Sequence, residues 1–139
     1  MRLLGIDYGL KNTGLALGVS GGATLPLKSI RTSDVKTIIK EVKEICSQEH
    51  IDKIIVGIPE YYKKAQKKYT LSFVKELKRN IKNIPVVLIN EYGTSKEAFD
   101  EEFIKFSKIK KTKKILHSRS AEKIIENYLA YLGEDTLDK

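Results

Sequence analysis

Two carboxylates in this chain stand where a buried strand gives way to a loop. Asp7 ends the apolar run Leu3-Leu4-Gly5-Ile6 and is followed at once by Tyr8-Gly9-Leu10-Lys11-Asn12-Thr13-Gly14. Glu91 follows the run Pro85-Val86-Val87-Leu88-Ile89-Asn90. A charge at the end of a central strand is costly to bury unless something pairs with it. A metal ion, bound water or a phosphate-bearing substrate can do so; for Asp7 taken alone, the N–H groups of its own turn serve equally well. Two carboxylates converging without a basic neighbour repel and raise each other's pKa unless a divalent cation neutralises them. Mg²⁺ takes oxygen ligands and keeps several waters. Two such ions about 3.5–4 Å apart can activate water and stabilise the leaving oxygen of a phosphodiester. The polar segment His117-Ser118-Arg119-Ser120, at the start of the last helical pattern, could supply a third group.

The elements that must position these residues follow from hydrophobic periodicity. Strands are predicted at about 2–7, 14–19 and 24–31, the second and third joined as a hairpin by Ser20-Gly21-Gly22. Ser33-Asp34 opens a helix whose apolar stripe is Val35, Ile38, Ile39, Val42, Ile45 and Cys46. Ile51 to Ile58 and Pro85 to Ile89 are unbroken apolar strands, separated by a helix at about 65–82. Helices at about 95–107 and 118–132 complete the order β-β-β-α-β-α-β-α-α. Continuous apolar strands alternating with helices indicate a parallel sheet covered on both faces. Preceded by a meander, they make an α/β fold with a mixed sheet. Sites in such sheets form beyond the carboxyl ends of the strands, where Asp7, Pro59-Glu60 and Asn90-Glu91 all lie.

The chain has 139 residues, with 41% hydrophobic and 32% charged. That suits one domain, expected over residues 1–139. No apolar run reaches the roughly 20 residues that span a bilayer, so no membrane partner is expected. The first residues enter a strand pattern directly, with no signal-peptide layout. The single cysteine, Cys46, excludes an internal disulfide and indicates a reducing compartment, with the cytoplasm as the expected location. Its place on the apolar stripe makes it a core thiol rather than a nucleophile. The net charge is +8, and only Arg2, Arg31, Arg79 and Arg119 among the 26 basic residues are arginine. Lysine holds phosphate as a point charge, so the expected partner is a nucleic acid held through its backbone. Lys63, Lys64, Lys67 and Lys68, with Tyr61, Tyr62 and Tyr69 among them, form one basic cluster. Lys105, Lys108, Lys110, Lys111, Lys113 and Lys114 form another, leading to His117. Lys11 is the best single candidate for a substrate phosphate.

Gly5-Ile6-Asp7-Tyr8-Gly9-Leu10-Lys11-Asn12-Thr13-Gly14-Leu15-Ala16 resembles the opening motif of the YqgF family, also called RuvX. Ile54-Ile55-Val56-Gly57-Ile58-Pro59, then Pro85 to Glu91 with Thr94-Ser95, then His117-Ser118-Arg119-Ser120-Ala121, resemble that family's later segments in the same order. The family is described as pre-16S ribosomal RNA nucleases or Holliday junction resolvase-like proteins. The resemblance implies a ribonuclease H-like fold with a five-stranded mixed sheet, and a divalent-metal nuclease site using Mg²⁺ or Mn²⁺. Asp7 and Glu91 map onto the family's acids. The third position, Asp in many members, is His117 here, and the family's Asp-Glu-Arg is Asn90-Glu91-Tyr92. Asp7, Glu91 and His117 are thus the expected catalytic and metal-binding residues. Lys11, Lys63, Lys64, Lys110, Lys111, Lys113 and Lys114 are the expected nucleic-acid contacts, toward an RNA precursor or branched DNA. A homodimer would let a resolvase cut two strands symmetrically.

Two alternatives stay open on sequence alone. One is a nucleic-acid-binding protein of the same fold that has lost its chemistry, motivated by His117 and the altered Asp-Glu-Arg. The other is phosphotransfer, because Asp7 to Gly14 also resembles the first phosphate loop of the actin and sugar-kinase group. Those proteins close two such domains around a nucleotide, and 139 residues supply one.

Overall fold

The computed structural model describes residues 1–19, 21, 23–58, 64–90 and 120–136. Five strands form one sheet: β1 (Arg2–Asp7), β2 (Asn12–Val19), β3 (Thr24–Arg31), β4 (Lys53–Ile58) and β5 (Val86–Asn90), in the order β3-β2-β1-β4-β5. The first three form an antiparallel meander, and β4 and β5 run parallel to β1. The described helices are α1 (Val35–Gln48), α2 (Lys64–Asn80) and α3 (Ser120–Thr136). The expected helix at about 95–107 lies outside the described residues. Among the described residues no helix is long and apolar enough to cross a membrane.

The alternation of side chains along each strand builds two cores. Leu4, Ile6, Leu15, Leu17, Ile54, Val56, Ile58 and Leu88 face α1 and α2, meeting Ile38, Val42, Phe73 and Leu77. Leu3, Ala16, Ile55 and Ile89 face α3, meeting Ala121, Ile124, Ile125 and Tyr128. Cys46 is buried in the first core, where burial pushes its thiol up to about 11. It is a packing residue, as its place on the apolar stripe indicates.

Several boundaries differ from the sequence reading: β4 begins at Lys53 rather than Ile51, α2 spans Lys64–Asn80 rather than about 65–82, and β5 spans Val86–Asn90. β2 begins at Asn12 because Asn12 and Thr13 already pair with Arg31 and Ile30. α3 runs on to Thr136, past the last residue of its apolar face, through Gly133 and two acids.

His50 is exposed at the end of α1, in a left-handed conformation with φ of 54°. Ile51 N–H donates back to the Cys46 carbonyl at 3.1 Å, closing a Schellman-type end over a residue type that resists this backbone. His50→Gly should therefore stabilise the fold by about 1 kcal/mol. A higher midpoint in urea at an unchanged slope is the expected reading.

Candidate active site

Parallel pairing fixes where the strand ends meet. β1, β4 and β5 point their carboxyl ends to one rim, with Ile6 opposite Val56 and Val56 opposite Leu88. β2 returns from that rim and β3 climbs back to it, so the β1–β2 turn and Arg31 border it as well. α1 and α2 follow β3 and β4 and therefore start there.

Asp7 is the last residue of β1, half-buried and paired across the ladder with Gly14. Its parity is that of Leu3 and Gly5, so its side chain lies on the α3 face. A Cβ built on Gly14 would stand 3.9 Å from the Cβ atoms of both Asp7 and Ala121. The first turn of α3 thus comes down onto the Asp7 end of the central strand.

Missing side chains make this approach possible. A Cβ on Gly5 would lie 2.6 Å from the Ala121 carbonyl oxygen and 2.7 Å from Cγ1 of Ile125. On Gly18 it would lie 2.6 Å from Cγ2 of Ile125, and on Gly57 2.6 Å from Cδ1 of Ile124. Three central strands each yield one position to α3. This positioning role was missed in the sequence. The available signal was that all three glycines sit inside otherwise apolar strands, where glycine often marks a close approach.

The turn after Asp7 is anchored on the other face. Tyr8 stacks on Phe73 of α2 with ring centroids 4.4 Å apart and planes 7° from parallel. Burial raises the Tyr8 phenol above its usual pKa, so its hydroxyl stays neutral at physiological pH. Gly9 is required within the turn, because a Cβ there would collide with the Asn12 carbonyl oxygen. Lys11 is exposed in the same turn, at the rim. The starts of α1, α2 and α3 also meet the rim. The helix dipoles add a partial positive charge there that suits an anion.

Of the expected metal ligands, Asp7 lies within the described residues and at the rim; Glu91 and His117 lie outside them. Lys63, Lys110, Lys111, Lys113 and Lys114 also lie outside, and of Lys64 only the backbone, the first residue of α2, is described. Among the described residues no three His, Cys, Asp or Glu side chains stand together as a metal-binding group. The described part of the rim can present one carboxylate, a lysine and helix N-termini to a phosphate group.

Residues 1–131 match the profile of the family described as RuvX, Holliday junction resolvase. A protein of Mycoplasma mobile named "Putative pre-16S rRNA nuclease" is 36% identical over 135 residues, covering 93% of this chain and 92% of its own. A protein of the same name from Clostridium acetobutylicum is 33% identical over 133 residues, covering 93% and 98%. Among solved structures, Thermus thermophilus RuvC in complex with a Holliday junction substrate superposes with a TM-score of 0.66 at 18% identity, covering 98% of this chain and 96% of that one. Its likeness assigns the ribonuclease H-like fold. With a profile match across nearly the whole chain and relatives above 30% identity at almost full coverage, this chain belongs to the RuvX nuclease family.

Proposed function

We propose that this protein is a divalent-metal endonuclease that cuts structured nucleic acid at the Asp7 rim, with a precursor of 16S ribosomal RNA as its substrate. The observation that carries the reading is the meeting of Asp7, Gly14 and the first turn of α3 at the end of the central strand. A half-buried carboxylate at a strand end, beside the first turn of α3, would suit a divalent cation. The RNA substrate is favoured over branched DNA by the names of relatives at 36% and 33% identity.

The donor chemistry fits a hard cation. Asp7 offers a carboxylate on the α3 face. Glu91 lies two residues beyond Ile89 in the sequence and adds a second carboxylate. His117 precedes Ser120, the first residue of α3, by three positions and adds a nitrogen donor. Asp7, Glu91 and His117 would hold Mg²⁺ or Mn²⁺, which would neutralise charge at the scissile phosphate and acidify water. The imidazole favours Mn²⁺ over Mg²⁺. Lys11 holds a non-bridging phosphate oxygen, and Tyr8 fixes the turn that carries it. Lys63 and Lys64, together with Lys110, Lys111, Lys113 and Lys114, bind flanking backbone. Residues 1–139 act as one domain, and a two-fold homodimer would set two such rims for paired cuts.

A labelled 16S precursor fragment and a four-way DNA junction, each incubated with Mg²⁺, Mn²⁺ or EDTA, test this reading. Cleavage of the RNA in either metal, fastest in Mn²⁺ and abolished by EDTA, is expected. Salt-sensitive binding of both substrates with no cut in any metal would replace the enzyme by a binding protein, the reading that His117 and Asn90-Glu91-Tyr92 motivate. Cleavage of the junction alone would move the substrate to DNA.

A further inference from the structure

The three described helices differ sharply in charge. α2 carries six basic residues against one acid, α1 three against two, and α3 one against four. Among the described helices, positive charge is therefore concentrated on α2.

On α2, Thr70, Phe73, Val74 and Leu77 are buried. Lys68, Ser72, Lys75 and Arg79, at i, i+4, i+7 and i+11, are exposed and share the opposite face, with exposed Lys78 on its shoulder. Lys68, Lys75 and Lys78 have no carboxylate partner among the described residues, and Arg79 reaches Glu76 at 3.4 Å in an exposed pair. Glu76 is the helix's single acid, and an exposed pair of this kind leaves most of the guanidinium's charge available. The stripe begins near the rim, because α2 follows the carboxyl end of β4, and runs away from it. Eleven residues at about 1.5 Å each make it about 16 Å long.

We infer that the outer face of α2 is a backbone-tracking contact for a double-helical arm leaving the cleavage site. The inference rests on the nuclease reading for what occupies the rim. A length of about 16 Å matches roughly five base-pair steps at 3.4 Å. Lysine and arginine with one small hydroxyl, Ser72, suit phosphate oxygens. Single-strand grooves instead interleave stacking aromatics, and the exposed aromatic on α2, Tyr69, lies off the stripe. Recognition by charge alone admits an RNA stem or a DNA arm.

The test compares wild type with the triple variant Lys68→Ala, Lys75→Ala, Arg79→Ala. Both are placed in an Asp7→Asn background, so that binding is read without turnover. The probes are a 25-base-pair RNA hairpin, a four-way DNA junction with arms of equal length, and a 25-nucleotide single strand. The triple variant should bind the duplex probes about tenfold or more weakly, with a salt slope shallower by roughly 2.7, while single-strand binding changes little. Equal loss on RNA and DNA arms is expected; loss on one alone would name the source. Unchanged affinity and slope on both duplex probes would overturn the inference, as would an equal loss on the single strand. Unaltered melting of the triple variant excludes misfolding. If the Asp7 reading failed instead, the Asp7→Asn background would still cleave, an outcome separate from any change in slope.

Discussion

Asp7→Asn is expected to reduce cleavage by roughly 10³-fold or more while leaving the fold intact. Asparagine keeps the shape of the side chain and loses its charge and one anionic oxygen. The position is half-buried at the end of β1, outside both apolar cores, so the packing of Leu3, Ile6 and Ala121 should not change. Negative charge near the start of α3 is favourable to that helix, and its loss should cost no more than about 1 kcal/mol. A second readout separates lost metal binding from lost positioning. Ligand binding raises stability by RT ln(1 + [L]/Kd), so Mn²⁺ should raise the wild-type melting temperature and leave that of Asp7→Asn unmoved. An equal Mn²⁺-induced shift in both proteins would mean that the cation binds elsewhere.

Gly5→Ala is the second large effect, and it acts on the scaffold. The added methyl meets a backbone oxygen at 2.6 Å and Ile125 at 2.7 Å. A backbone atom of a packed helix cannot swing aside as a lysine tip can, so α3 must lift from the sheet. Overpacking of this kind costs roughly 3 kcal/mol at its upper range, which corresponds to roughly 10 °C in melting temperature for a domain this size. Activity should fall as well, because the same turn of α3 faces Asp7. Gly14→Ala is the control: its methyl finds ordinary contacts at 3.9 Å, so its melting temperature should stay within a few degrees of wild type. If Gly5→Ala melts like Gly14→Ala, close packing of α3 is not what the glycines provide.

These two positions show what the sequence could and could not reveal. Asp7 was legible because its signal is local: an apolar run, a carboxylate and a glycine-bounded turn within a dozen residues. Strand identity was legible for the same reason, and parallel pairing of β1, β4 and β5 followed from their unbroken apolar character. Asn12 and Thr13 were not read as strand because their side chains are polar; their pairing with Arg31 and Ile30 is a property of the neighbouring strand. The left-handed His50 was equally hidden, since the backbone there is dictated by the Schellman end rather than by residue preference. The role of Gly5, Gly18 and Gly57 depends on a helix more than sixty residues further along the chain, and no local pattern encodes that distance. The match of family motifs in order supplied what periodicity could not, the expectation that the strand ends and the start of the last helix share one site.

In the proposed site, Asp7, Glu91 and His117 share one divalent cation at the strand-end rim. Anomalous diffraction from crystals of the protein grown with Mn²⁺ tests it most directly. A manganese peak is expected within about 2.0–2.3 Å of an Asp7 carboxylate oxygen, with Glu91 and His117 completing its protein ligands. Manganese bound away from Asp7, or an Asp7 rim empty at saturating Mn²⁺, would contradict it.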